Sequence, residues 1–150
     1  MSNDAYLTLT GRVGGDVQLK QVNGGHALAT FRIGSTARAY DRDKADWVDR
    51  PTTWFSVECW RGLAQNVAES IGRGDPVVVY GRLKTTEWTE DGESRSRTVL
   101  EAFSVGHDLS RGVTTFSKAT PQGLGARPSP FDDLPQPVGE ANPLGASEAA

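Results

Sequence analysis

Through the N-terminal two thirds of the chain, apolar side chains recur at every second position. Tyr6 to Val13 carries Leu7, Leu9 and Val13 at odd positions and Thr8, Thr10 and Arg12 at even ones. That two-residue period predicts a half-buried strand. Val17 to Val22 alternates again after Gly14-Gly15, which suits a bulge or bend in one long strand. Asn23-Gly24-Gly25 predicts a tight turn, because these residues tolerate positive φ. Ala27 to Ile33 sets Ala29, Phe31 and Ile33 against Thr30 and Arg32, and Thr53 to Trp60 is the next strand. Only Leu63 to Ile71 has a helical period, with Leu63, Val67 and Ile71 four apart and Ala64 and Ala68 beside them. Gly72 and Gly74 end it. Val77 to Trp88 and Arg95 to Val105 predict two long strands joined through Glu90-Asp91-Gly92-Glu93.

Three strand units, a helix and a long hairpin match the plan of an OB-fold, a five-stranded Greek-key barrel that is all-β with one helix. Other small barrels or sandwiches are the competing architectures. Composition limits this unit to part of the chain. Six of the eight prolines fall in the last thirty residues, so that stretch predicts a disordered tail. We expect a folded domain over residues 1–112 and a Pro/Gly-rich, mildly acidic tail over 113–150. Residues 1–120 hold fifteen basic and fifteen acidic side chains, so the net charge of -3 belongs to the last thirty residues. A neutral body does not advertise nucleic-acid binding, although the position of the cations matters more than their sum.

Parity supplies the functional argument, because successive side chains of a strand face opposite sides. Phe55, Val57 and Cys59 are odd and apolar, whereas Trp54, Ser56, Glu58 and Trp60 are even. The even set is expected on the outer face. Arg82, Lys84 and Trp88 are even opposite Val77, Val79 and Leu83, and Arg12 and Arg32 also oppose the apolar side. The outer surface then interleaves indole rings with Arg and Lys. Nucleobases stack on such rings while cations follow the phosphates. A single tryptophan is more often core or protein interface; three on one predicted face with basic neighbours favour nucleic acid.

Residues 37–51 predict a charge-rich loop, read either as a solvated loop or as a mobile arm. As an arm it would carry Tyr40, Arg42 and Lys44, with Trp47 as a further aromatic, onto a strand of nucleic acid. Arg61 and Arg73 flank the predicted helix and are expected on phosphates. Catalysis has little support. Cys59 is the only cysteine, which excludes an internal disulfide and a multi-cysteine zinc site, and it lies at an inward position. His26 and His107 have no nucleophile or metal partner at a known spacing, and no Gly-rich phosphate loop is present. No enzyme activity, cofactor or metal is expected. No apolar run is long enough to span a membrane and the N-terminus lacks signal-peptide character, so a cytoplasmic, nucleoid-associated protein is expected.

Asn23-Gly24-Gly25, Ala29, Phe31, Thr53-Trp54-Phe55, Val57, Trp60, Ala64, Gly74-Asp75, Val77, Val79, Gly81-Arg82-Leu83, Trp88 and Gly92 form a specific set. On that set the chain resembles the bacterial single-stranded DNA-binding proteins of the homotetrameric OB-fold type, over about residues 5–112. The Gly72-Arg73-Gly74-Asp75 turn and the Leu109-Ser110-Arg111-Gly112 stretch are similar to forms from high-GC Gram-positive bacteria. The resemblance implies single-stranded DNA wrapped on a homotetramer, with bases stacked at Tyr40, Trp54, Trp60 and Trp88. Such proteins usually end in an acidic tip closing on Pro-Phe that recruits replication and repair partners. Here the last residues run Gly145 to Ala150, and Pro130-Phe131-Asp132-Asp133 is internal and reversed. Poor partner recruitment and a specialised paralogue are therefore expected.

The sequence thus predicts sequence-independent single-stranded DNA binding in replication, repair, recombination or chromosome handling. An OB-fold RNA-binding module, a protein-interaction OB domain and an OB-barrel nuclease are the rivals. The nuclease is disfavoured because no clustered carboxylates accompany the arginines.

Overall fold

The period-two segments build one closed sheet, described by a computed structural model over residues 3–22 and 24–119. In chain order the elements are β1 (Tyr6–Val13), β2 (Gln18–Val22), β3 (His26–Ser35), β4 (Arg38–Asp41), β5 (Asp46–Asp49), β6 (Thr53–Trp60), α1 (Arg61–Ser70), β7 (Pro76–Glu90) and β8 (Glu93–His107). The large sheet runs β1-β7-β8-β6-β3-β2, and β1 also pairs with β3 at Arg12↔Gly34 and Val13↔Ile33. That extra pairing closes the barrel. Both β1 and β2 lie antiparallel to β3, as one bent strand would, with the bend after Gly14. Asn23 of the turn lies outside the described residues; Gly24 and Gly25 have φ of 82° and 77°.

Parity sets the core. Leu9, Val13, Ala29, Phe31, Ile33, Val57, Cys59, Val77 and Val79 are all buried and form one cluster. Each well-buried Val, Leu, Ile or Phe contributes about 1.5–3 kcal/mol. Ala64, Val67 and Ile71 bring α1 and its end onto the same cluster. The helix begins two residues before the predicted Leu63, directly from β6, because Arg61 takes φ of 59° and turns the chain at once. Its last turn closes through the Ile71 N–H on the Val67 carbonyl, at 2.9 Å.

Two features depart from the expected pattern. Residues 38–49 are a two-stranded ribbon rather than a loop. Tyr40 faces Trp47 across it with ring centroids 5.9 Å apart, and Arg38 Nε lies 3.0 Å from Asp49 Oδ1. Asp41 Oδ1 accepts from the Asp43 and Lys44 backbone N–H groups and shapes the tip. Cross-strand pairing thus overrides the loop-like composition. The second departure is a β-bulge opposite Tyr80/Gly81, where Phe103 is the extra residue of β8. Phe103 and Ser104 both fall between inward Ala102 and Val105, so inward positions change from even to odd. Only glycine fits at Gly81, since a Cβ there would collide with the Glu101 carbonyl.

The described residues up to Ser117 form one compact unit. The expectation of a disordered tail concerns residues that, from 120 onward, lie outside the described ones. Residues 113–119 carry no regular secondary structure, and Val113 and Phe116 are almost fully exposed.

Candidate nucleic-acid interface

The outer face of β6 carries the first cluster. Trp54 is 49% exposed. Its six-membered ring lies against Gly14, where a Cβ would collide with it, and a Cβ on Gly34 would come within 3.0 Å of Cζ3. The two glycines therefore seat the indole. The Arg32 guanidinium stands 5.0 Å from the ring centroid, within the range of a cation–π contact. Arg12 is exposed nearby and donates from Nη1 to the Gly74 carbonyl at 3.0 Å. A groove of about 380 Å³ runs beside Trp54, with Arg12, Thr36, Thr52 and Arg111 among its walls. Indole, guanidinium and groove lie together on this face.

The second cluster differs from what parity alone suggests. Trp60 is only partly exposed, and its Nε1 is buried with no hydrogen-bond partner among the described residues. Lys84 Nζ lies 5.5 Å from the Trp60 ring centroid. Glu58, expected on an exposed face, is instead buried at 7%. Its carboxylate lies 3.2 Å from Lys84 Nζ and 3.5 Å from Arg97 Nη2. Arg82 Nη2 donates to Glu101 Oε2 at 2.7 Å. That hydrogen bond holds the Glu101 carboxyl below its ordinary value and raises the Arg82 guanidinium. Two of the cations expected on phosphates, Arg82 and Lys84, are thus already engaged within the protein.

The other expected residues are spread out. Tyr40 is exposed on the β4–β5 ribbon, with Arg42 and Lys44 exposed at its tip. Arg61 is exposed at the start of α1 and Arg73 in the turn after it. Trp88 is exposed on the β7–β8 arm opposite Arg95. Trp88 keeps the parity of Arg82 and Lys84, since the pairing from Gly81 to Glu90 is unbroken.

Sequence reasoning missed a third aromatic group. Tyr6, Tyr80 and Phe103 are exposed with ring centroids 6.1 to 6.2 Å apart. Tyr6 and Tyr80 share even parity with Arg82, and that was the available signal. Phe103 joins them through the bulge, which the sequence did not reveal. Glu101 and Arg97 were missed as partners of Glu58, Lys84 and Arg82 because parity gives the face of a residue and not which strands lie side by side.

Burial, and then the Glu58 charge, push the Cys59 thiol up to about 12, so it is protonated and inert at neutral pH. His107 Nε2 lies 3.2 Å from Asp75 Oδ2, and Asp75 also accepts from the Gly72 N–H. These contacts, the Gly72 bond first, keep the Asp75 carboxyl low. Among the described residues, no group of acidic, His and Cys side chains could hold a metal ion.

Residues 5–108 match the model of the single-strand binding protein family. The chain belongs to the single-strand binding protein family. Its relatives include single-stranded DNA-binding protein 2 of Streptomyces avermitilis, 37% identical over 141 residues, covering 94% of this chain and 88% of that protein. The single-stranded DNA-binding protein of Mycobacterium tuberculosis is 36% identical over 134 residues, covering 87% of this chain and 82% of that one. Among solved structures, the small single-stranded DNA-binding protein of Streptomyces coelicolor superposes with a TM-score of 0.63 at 37% identity, covering 74% of this chain and all of that one. The second single-stranded DNA-binding protein of Mycobacterium smegmatis gives 0.58 at 29% identity, covering 77% of this chain and 100% of that one. The OB-fold of the family is therefore the fold of this chain.

Proposed function

We propose that this chain binds single-stranded DNA without sequence preference, stacking bases on its exposed aromatics and meeting phosphates with flanking cations. The observation that carries this reading is Trp54, half-exposed on two glycines with Arg32 over its ring. A ring held in that way has already lost its rotamer freedom, so stacking costs less entropy. Arg12, Arg32, Arg42, Lys44, Arg61, Arg73, Arg82 and Lys84 are the proposed phosphate contacts, and Tyr40, Trp54, Trp60 and Trp88 the stacking positions. Family membership and the names of the relatives support DNA as the strand bound. The role is to coat and protect single strands during replication, repair, recombination or chromosome handling, in the cytoplasm and without catalysis. Among the described residues, no helix is long and apolar enough to cross a membrane.

The binding unit is residues 1–112, followed by the tail, and it works as a homotetramer. The exposed Tyr6, Tyr80 and Phe103 rings support self-association, since a contiguous exposed aromatic patch marks an interaction surface. Titration with oligo-dT of graded length, with poly-U as competitor, tests the reading. Tight oligo-dT binding that poly-U displaces poorly supports it. Preference for poly-U would favour an RNA-binding module, and no binding to either strand would favour a protein-interaction domain.

A further inference from the structure

β6 and β8 run parallel and bring Glu58 opposite Glu101. On the other side of β8, Glu101 faces Arg82 of β7. Two carboxylates side by side on one sheet face repel unless cations bridge them. Lys84 does this, with Nζ 3.2 Å from Glu58 Oε2 and 3.6 Å from Glu101 Oε1. Arg97 adds to Glu58 at 3.5 Å, and Arg82 joins Glu101 at 2.7 Å and Asp4 at 3.8 Å. Three cations therefore meet three carboxylates on a surface that the sequence led us to expect basic.

Resting on the single-stranded DNA reading, we propose that Glu58 and Glu101 are internal competitors of the DNA backbone and weaken its hold at the Trp60 end of the strand path. Glu58 is buried, so its cations cannot swing away to a phosphate without leaving an uncompensated charge beneath the sheet surface. A phosphate arriving at Lys84 must share the ammonium or displace a carboxylate from it. The same ammonium covers the Trp60 ring, so stacking there is tied to the same exchange. Arg32, over Trp54, has no carboxylate within ion-pair distance among the described residues. The path is thus graded: firm at Trp54, restrained at Trp60.

Salt dependence reads this directly. A cation already neutralised by a carboxylate releases fewer DNA counterions when it meets a phosphate. Glu58→Gln keeps the shape and removes the competing charge. It should raise oligo-dT affinity about three- to tenfold at low salt. It should also steepen the slope of log K against log salt by about 0.7 per cation freed. Glu101→Gln, at a less buried position, should act in the same direction and serves if Glu58→Gln fails to fold. Glu87→Gln, on the opposite parity of β7, should change little. In a Lys84→Met/Arg97→Met background the Glu58→Gln gain should vanish. The proposal is overturned if Glu58→Gln and Glu101→Gln leave affinity and slope unchanged or lower. It is also overturned if Glu87→Gln gives an equal gain, or if the gain persists without Lys84 and Arg97. Failure of the unaltered protein to bind oligo-dT would instead sink the DNA reading itself.

Discussion

Trp54 is seated by two residues with no side chain. Gly14 and Gly34 leave the space in which its ring rests, and Arg32 covers the ring. Enlarging Gly14 should push the indole out of this seat without touching the core, since Gly14 is exposed. Gly14→Val is expected to keep the melting temperature near that of the parent protein. It should lose part of the about 1–3 kcal/mol that a stacked base contributes, the range also expected for Trp54→Ala. Oligo-dT affinity of both variants, measured beside thermal melts, checks this. A loss of fold in Trp54→Ala would mean that the ring is core. Outward placement of Trp54 was legible from parity alone. The burial of Glu58 was not, because parity gives the face of a residue and not what its neighbours on that face cover.

Elements were legible where the two-residue period was clean. β1, the Ala29–Ile33 part of β3 and the start of β7 follow the alternation, buried Glu58 breaks it in β6, and Gly24, Gly25, Asp91 and Gly92 take the positive φ their turns require. The β4–β5 ribbon was hidden because its stability comes from pairs such as Tyr40–Trp47, which no local pattern records. The bulge was hidden because one inserted residue leaves the composition of β8 unchanged. At this scale the β6–β8–β7 network makes an acid-stability prediction. Arg82 holds the Glu101 carboxyl below its ordinary value of 4.5. A depressed folded pKa gives stability that is complete above the unfolded value and is lost as pH falls through the folded one. Melting temperature should therefore fall on acidification below about pH 4.5, and Glu101→Gln should make that fall shallower. An equal fall in the variant would show that the pair contributes nothing, and would leave the Asp75 and Asp108 carboxyls, also held low, as the acid-sensitive groups.

For the whole molecule, the proposed reading gives the face of β6, with Trp54 and Trp60, to the strand and the Tyr6, Tyr80 and Phe103 patch, which adjoins Arg82, to further copies. Tyr80→Lys should therefore reduce the assembly measured by light scattering while each barrel stays folded. An unchanged mass would remove that patch from the interface. The central claim, stacking of single-stranded DNA on exposed indoles, is tested most directly by tryptophan emission during oligo-dT titration. We predict strong, saturable quenching in the unaltered protein and a clearly smaller change in Trp54→Ala. Emission unchanged at saturating oligo-dT, with binding confirmed by a second method, would contradict it.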